Sequence, residues 1–277
     1  MLIVCRRKFY FDCKSTKNIR NKHNKCLFFC KFQQKIVPLQ QNSLDMRKIH
    51  DDYDKIWEIS PVWDLLSVEQ KDYIEERSEI KKYRKNEIIH QEGDSPSYVM
   101  VVVSGTVRLS KEGVGQRVQI IRLLNRHDSF GYRSVVAGDQ HSSCATAIEP
   151  TVVYRIERDA FLDVIRENNA FCFGVLELMS KDLAISESRT VNLTQKHIRG
   201  RLAETLITLK HTYGLDEDGV TIAMYMARED LANMSNMTTS NAIRTLSQFA
   251  SEGIISLDGR KIKLLDEQEL TRISRLG

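Results

Sequence analysis

The chain has 277 residues, of which 42% are hydrophobic and 28% are charged. This composition predicts a soluble globular protein with room for two domains, and it excludes a chain that is mainly embedded in a membrane. The formal net charge of +4 comes from the first 45 residues, which hold 10 Lys and Arg against 2 Asp and Glu, so the overall charge is no guide to partners.

Residues 1–45 differ from the rest of the chain. They carry four of the six cysteines, and their apolar residues follow neither a helical nor a strand period. The longest apolar run is too short for a signal peptide or a membrane span, and the cysteine spacing matches neither zinc ribbons nor common iron–sulfur sites. A basic, disordered arm is an alternative interpretation. Our preferred interpretation is that Met46 is the true start and that the upstream segment is either a misassigned start or disordered. The other cysteines, Cys144 and Cys172, suit buried thiols in a reducing cytoplasm.

Residues 46–167 predict a strand-rich sensor domain. An amphipathic helical pattern runs from Ile56 to Arg77, with a capping box formed by Ser67 and Gln70. After it come β-branched segments separated by turn residues, at 87–90, 98–103, 106–110, 118–124 and 146–156. Short strands of this kind predict a small antiparallel barrel or roll, which can enclose a ligand but does not by itself show one.

A long helical pattern follows from about Asp159, and the segment 168–196 carries a heptad seam. The seam residues recur at alternating gaps of four and three: Cys172, Leu176, Met179, Leu183, Ser186, Thr190 and Leu193. Since there is no second long helix to pack against, the seam predicts a parallel homodimer. Its predicted interface residues are Leu176, Met179, Leu183 and Leu193. Packing of these residues on the roll of the same chain is the alternative, and both can hold in part. Arg199–Arg201 mark the predicted hinge.

Residues 197–277 predict a winged helix-turn-helix. Its parts are a short helix, a tight corner, a longer helix and two strands, at residues 227–234, 235–237, 238–252, 254–257 and 261–264. Ala242, Leu246 and Phe249 form the buried stripe of the second helix. Asp258-Gly259 suits a type I′ turn between the strands of the wing. Such a unit places a helix in a groove of double-stranded DNA.

The outward face of the second helix predicts which residues meet DNA. Arg244 and Asn241 are interpreted as base readers, because Arg can bond guanine and Asn adenine through two parallel hydrogen bonds. The other predicted contacts lie at the two helix starts, on the outward face and on the wing: Arg228, Thr238, Thr239, Ser240, Arg260 and Lys261. Residues 196–277 hold 11 basic and 11 acidic residues, so affinity must come from local placement. A winged helix that binds protein is the alternative.

A β-roll, a long helix and a C-terminal winged helix in this order resemble the Crp/Fnr superfamily of bacterial transcription regulators. The resemblance covers roughly residues 56–265, and its motifs are the glycine turns at Gly93, 104–107 and 130–131 and the segment Arg199–Ala203. It implies an α+β fold with an N-terminal cyclic-nucleotide-binding-like roll, a dimerisation helix and a C-terminal winged helix-turn-helix. The expected function is a cytoplasmic homodimeric regulator of transcription that binds a near-palindromic operator, with RNA polymerase as a candidate further partner.

The resemblance also implies an effector cavity, lined by Gly131, Tyr132, Arg133, Ser142, Ser143 and Ser186. Members that bind cyclic AMP have Glu where this chain has Tyr132, and an Arg-Ser pair where it has Ser142-Ser143. Without that Arg, a cyclic phosphate lacks a fixed positive partner unless Arg133 moves in. The expected effector is therefore a small molecule other than cyclic AMP, and its identity and any cofactor stay open.

Other readings of the sensor stay open at this point. A haem- or redox-sensing variant of the regulator could use His90, His127, His141 or Cys144. A second class is a ligand-binding signalling module that acts on a protein partner. An enzyme is not predicted, because the sequence shows no nucleophile–base pair, glycine-rich phosphate loop or paired metal-ligand motif. For the same reason we predict no catalytic residue and no metal site.

Overall fold

The computed structural model describes residues 55–276, so the predictions for residues 1–45 lie outside the described part of the chain. The helices are α1 (Ile56–Ile59), α2 (Val68–Glu76), α3 (Tyr132–Ala137), α4 (Arg158–Glu167), α5 (Asn169–Gln195), α6 (Ile198–Tyr213), α7 (Arg228–Met234), α8 (Thr239–Ser251) and α9 (Glu267–Leu276). The strands are β1 (Ser78–Tyr83), β2 (Ile88–His90), β3 (Tyr98–Ser104), β4 (Val107–Glu112), β5 (Val118–Leu124), β6 (Ser129–Phe130), β7 (Cys144–Ala147), β8 (Thr151–Glu157), β9 (Ile255–Asp258) and β10 (Lys261–Leu264).

The predicted helix from Ile56 to Arg77 is in fact interrupted. α1 and α2 are separated by a 3-10 turn at Trp63–Leu65. Ser60 is extended (φ −141°, ψ 121°), as expected for a residue that precedes a proline. The capping box at the start of α2 is confirmed, since the Ser67 hydroxyl accepts from the Gln70 backbone N–H at 3.3 Å and the Gln70 side chain accepts from the Ser67 backbone N–H at 3.2 Å.

The predicted roll is confirmed as two four-stranded antiparallel sheets, with strand orders β1-β8-β3-β6 and β2-β7-β4-β5. The predicted strand 146–156 is two strands, β7 and β8, and the break between them contains Pro150, which has no N–H to donate to a ladder. The sequence pattern missed β1, whose Ser-Glu-Ile-Lys-Lys-Tyr sequence is charged and does not alternate, and the two-residue β6.

β3 explains how the roll is packed on both faces. Val99, Val101 and Val103 join the core beneath the helices, whereas Met100 and Val102 join the core between the two sheets. This division follows from the two-residue period of a strand, which sends alternate side chains to opposite faces. Because both faces of β3 are buried, the five residues from Val99 to Val103 form a continuous apolar run in the sequence.

The long helical pattern after Asp159 is broken once and then ends before the predicted hinge. α4 and α5 are separated at Asn168, whose side chain caps α5 by accepting from the Phe171 backbone N–H at 3.0 Å. α5 ends at Gln195, and Lys196 and His197 are extended (ψ 141° and 164°). The hinge prediction at Arg199–Arg201 is therefore wrong, because these residues lie in the first turn of α6 and the break precedes them.

The winged helix-turn-helix is confirmed as α7, α8 and the hairpin β9-β10. Its turn differs from the prediction. Asp258 pairs with Lys261, so the two loop residues are Gly259 and Arg260. Gly259 has φ 56°, but Arg260 has no positive φ. A type I′ turn needs positive φ at both central residues, so that prediction is wrong.

The roll packs directly against the helix-turn-helix. Ile120 and Leu123 of β5 join the core formed by α6 to α9. The Gln119 side chain donates to the Asn233 carbonyl at 2.7 Å, and Arg108 pairs with Asp230 at 2.7 Å. Across residues 55–276, no helix combines the length and apolarity that a membrane crossing requires.

Candidate functional site

The start of α8 is fixed by the corner before it. Asn236 has a left-handed backbone (φ 50°), a conformation that Asn adopts more readily than most residues. The Thr238 hydroxyl then caps the helix by accepting from the backbone N–H of Asn241 at 3.3 Å. Thr238 is itself exposed, so the cap and the first turn of α8 both face solvent.

α8 has a buried and an exposed side. The buried residues are Ala242, Thr245, Leu246 and Phe249. Thr239, Ser240, Ile243 and Arg244 are exposed on the other side, and Asn241 is half-buried beside them. The Arg244 guanidinium donates to the Asn241 side-chain oxygen at 3.0 Å. The two residues predicted to read bases are thus brought together on one face, and their contact with DNA stays a prediction.

Sequence reasoning missed two polar residues on this face. Ser247 and Gln248 are exposed one turn after Arg244. The three- and four-residue spacing from Arg244 is the signal that could have found them, since such residues share one side of a helix. Gln can bond adenine in the major groove as Asn can, so Gln248 extends the set of candidate base readers.

The residues outside α8 that are predicted to contact DNA differ in their exposure and in the hydrogen bonds that they already form. Arg260 and Lys261 are exposed on the wing. Arg228 is half-buried, and its guanidinium donates to the carbonyl of Gly259 at 2.7 Å. Burial lowers the pKa of Arg228 from its ordinary value. Arg228 therefore connects the start of α7 to the wing by a hydrogen bond. Its predicted contact with the DNA backbone must use guanidinium N–H groups other than the one that donates to Gly259.

The residues predicted to line an effector cavity are brought together by the structure. Gly131, Tyr132, Arg133, Ser142, Ser143 and Ser186 all line one cavity of about 100 Å³. Gly131 has φ 82°, and a side chain there would meet the Met100 side chain at 3.0 Å and the Tyr98 carbonyl at 3.1 Å. Arg133 donates to the Ser142 hydroxyl at 3.3 Å and is exposed. One cation therefore lies beside the serine pair.

Two residues that sequence reasoning missed close this cavity. The Tyr132 hydroxyl donates to Asp182 of α5 at 2.5 Å, and Arg122 of β5 also bonds Asp182. Burial and the bond to Asp182 raise the pKa of Tyr132. Asp182 lies four residues before Ser186 on α5, a spacing that could have indicated it. The three side chains link the roll to α5 through a polar network that is largely satisfied within the protein.

A histidine pair forms another wall of the cavity. His90 and His141 are buried and stack with ring centroids 3.8 Å apart and planes 17° apart. Burial lowers the pKa of His90 to about 4, and the neighbouring His141 adds to this effect. Burial also lowers the pKa of His141. Both rings are consequently neutral at pH 7. Within residues 55–276, no three His, Cys, Asp or Glu side chains group as metal ligands would.

The histidine pair predicts a loss of stability in acid. Below pH 6.5 an unfolded His90 takes up a proton that the folded one refuses until about pH 4. The free energy of unfolding should therefore fall as the pH drops through this window, by up to roughly 3 kcal/mol from His90. Urea unfolding of His90→Phe should show a flatter pH dependence than wild type, while His211→Phe, at an exposed position, should not. Parallel curves for wild type and His90→Phe would contradict the assignment.

Two family models match the chain, one to each end of the described fold. The cyclic nucleotide-binding domain matches residues 80–168, and the Crp-like helix-turn-helix domain matches residues 200–273. The first match contains most of the cavity lining, the second contains α8, and together they span more than half of the chain. The chain belongs to the Crp/Fnr superfamily of bacterial transcription regulators.

Relatives of this Crp/Fnr protein are similar over most of their length. A "CRP-like cAMP-activated global transcriptional regulator" of Mycobacterium tuberculosis is 22% identical over 194 residues, 70% of this chain and 87% of the relative. The "Anaerobic regulatory protein" of Bacillus subtilis is 24% identical over 211 residues, 76% of this chain and 89% of the relative. The structure of FixK2 from Bradyrhizobium japonicum is 28% identical, with a TM-score of 0.64 over 71% of this chain and 96% of FixK2. This Crp/Fnr member is a DNA-binding transcription regulator with a cyclic nucleotide-binding domain.

The predicted dimer-interface residues on α5, the long helix of this Crp/Fnr protein, differ in how exposed they are. Leu176 and Leu183 are 53% and 61% exposed, whereas Met179 packs partly against the roll and Leu193 is half-buried. Phe173, which the heptad pattern missed, is 71% exposed. It lies three residues before Leu176, so these three side chains form one exposed apolar face of α5.

Proposed function

We propose that this Crp/Fnr regulator acts as a homodimer on near-palindromic DNA. The observation that carries the proposal is the exposed apolar face of α5 formed by Phe173, Leu176 and Leu183. Large apolar side chains grouped on a helix face mark an interaction site in soluble proteins. A second copy of the chain is the partner that such a seam fits, because a twofold axis along parallel helices brings the same residues together.

A dimer of this kind gives the exposed face of α8 its use. Two recognition helices related by twofold symmetry fit half-sites centred about 34 to 36 Å apart, one turn of B-DNA. Arg244, Asn241 and Gln248 then supply the base contacts, while Arg260 and Lys261 suit phosphates. The regulator would act in the cytoplasm, because that compartment holds the chromosome. RNA polymerase is the further partner in this proposal.

We further propose that the signal in the roll is not cyclic AMP. The cavity holds about 100 Å³, whereas ligand pockets usually measure about 300 to 1,000 Å³. Tyr132 bonds Asp182 in the place of the Glu that holds ribose in cyclic-AMP-binding members. Arg133 is the cation beside Ser142, and the other two arginines that line the cavity, Arg122 and Arg189, are bonded to Asp182 and to backbone carbonyls. The relatives support a family with differing signals, since one is named as activated by cAMP and another as an anaerobic regulator.

Calorimetric titration tests this proposal directly. Cyclic AMP added to the full chain should give no saturable binding heat. It should also leave unchanged the affinity for an operator that the full chain has selected from random DNA. The double variant Tyr132→Glu, Ser142→Arg restores the two side chains that contact cyclic AMP in the family, so it is the matched comparison for a gain of binding. Saturable binding to the wild type that changes its affinity for DNA would contradict the proposal.

A further inference from the structure

Two arginines hold the corner of the helix-turn-helix, one on each side of the break between the domains. Arg189 lies on α5 and Arg201 on α6, before and after the extended residues Lys196 and His197. Their guanidinium groups donate to three consecutive carbonyls, those of residues 234–236. These residues join α7 to the segment that starts the recognition helix α8.

Arg189 connects three parts of the fold. Its Nη1 donates to the Ile121 carbonyl at 2.6 Å, and its Nη2 donates to the Ile120 carbonyl and, at 3.1 Å, to the Met234 carbonyl. Ile120 and Ile121 belong to β5 of the roll, and Met234 is the last residue of α7. One side chain of the long helix therefore bonds both the sensor and the DNA-binding domain.

Arg201 completes the arrangement from the other side of the break. Its Nε donates to the Ser235 carbonyl at 2.8 Å, and its Nη2 donates to the Asn236 carbonyl at 3.1 Å. Its Nη1 donates to the Lys196 carbonyl at 3.0 Å, in the break itself. The angle between α5 and the corner is thus fixed by hydrogen bonds at both ends of the interdomain connection.

Apolar packing does not fill this side of the junction. A cavity of about 360 Å³ lies between α5, α6 and the corner, and Arg189, Arg201, Met234 and Ser235 are among its lining residues. On the opposite side, Ile120 of β5 packs into the core of the DNA-binding domain. Packing therefore holds the two domains together along β5, beside the Gln119–Asn233 and Arg108–Asp230 bonds, while the two arginines supply the hydrogen bonds on the α5 side of the junction.

We propose that Arg189 and Arg201 are positioning residues for DNA binding, which set the angle of α8 relative to the long helix. The guanidinium group suits this role because it presents five donors in a fixed planar fork, whereas Lys has one rotatable ammonium group. In the dimer proposed above, on which this inference rests, that angle fixes the separation of the two recognition helices. Loosening it should make the regulator tolerate operators with the wrong half-site spacing.

Operators with altered spacing test the inference. An operator selected from random DNA by the full chain is remade with the half-sites one base pair closer or further apart, and binding is measured by fluorescence anisotropy. Wild type should lose affinity on the order of tenfold on altered operators, because DNA must be twisted to fit. Arg189→Lys and Arg201→Lys should lose much less on these operators, and they should bind the original operator roughly tenfold more weakly than wild type does.

The controls separate positioning from folding and from charge. Arg166→Lys makes the same substitution at an exposed arginine on α4 that pairs with Asp163. Its affinity should depend on half-site spacing as that of wild type does, and we call this dependence the spacing profile. Thermal unfolding checks each variant. If Arg201→Lys does not fold, Arg189→Lys decides, because Ile120 and Met234 keep their own apolar packing. Arg189→Gln removes the charge, and the salt dependence of its affinity should match that of wild type, since a smaller slope would assign the arginine to phosphate contact and overturn the proposal.

The spacing profile also distinguishes this inference from the proposed dimer. A sharp profile for wild type and an equally sharp one for both Lys variants would overturn the role of the arginines and leave the dimer intact. A flat profile for wild type would overturn both, because a single recognition helix has no spacing to measure. A sharp wild-type profile that flattens in the Lys variants, but not in Arg166→Lys, is the result that we expect.

Discussion

Arg244→Ala should abolish most of the preference of this regulator for its operator over unrelated DNA. A bidentate contact between Arg and guanine contributes about 1 to 3 kcal/mol of discrimination at each half-site. A dimer uses Arg244 twice, so the loss should reach roughly 2 to 6 kcal/mol on a symmetric operator, or about 30-fold to more than 10,000-fold in affinity. The side chain is exposed and outside the core of the domain, so stability should change little.

Fluorescence anisotropy with the selected operator and with scrambled DNA measures this difference. Arg275→Ala is the matched control, because Arg275 is also an exposed arginine of the DNA-binding domain but lies on α9. It removes the same charge and should leave the specificity ratio unchanged. If Arg244→Ala weakens binding to both DNAs equally, Arg244 contacts phosphate and does not read a base.

The DNA-binding face could be predicted from the sequence because its determinants are local. The apolar residues of α8 recur at helical spacing, and their burial fixes which side faces outward. The corner contains an Asn that accepts a left-handed backbone, and Thr238 caps the helix that follows. The wing was predicted correctly as a hairpin, but its turn was displaced by one residue, since Gly259 occupies the first loop position and not the second.

The effector cavity shows where local patterns stop being informative. Gly131 and Tyr132 follow from a turn motif, but the partners of Tyr132 come from far along the chain. Asp182 is 50 residues away from Tyr132, and Arg122 is 60 residues away from Asp182. The four-residue spacing to Ser186 places Asp182 on the same side of α5, but it does not specify Tyr132 and Arg122 as its partners. The hinge was misplaced for a related reason, because Arg201 resembles a linker residue until its bonds to the corner are seen.

Leu183→Glu should convert the regulator from a dimer to a monomer and remove its operator binding. Leu183 is 61% exposed in the single chain. Burying one leucine side chain contributes roughly 1.5 to 3 kcal/mol, and the seam buries two across the twofold axis. The variant loses that burial and places two carboxylates against each other in an apolar interface, where unpaired charge is costly. The dimer dissociation constant should rise by about a hundredfold or more.

Sedimentation equilibrium and operator binding together test this second effect. Leu276→Glu is the matched control, since Leu276 is 73% exposed on α9 and is not part of the α5 seam, and it should remain dimeric and bind DNA. A monomeric Leu183→Glu that has lost operator affinity shows that the second half-site contributes only when α5 pairs. A dimeric Leu183→Glu would move the interface elsewhere, and a monomer with full affinity would show that one recognition helix is sufficient. Only the first outcome is compatible with a regulator that reads two half-sites at a fixed separation.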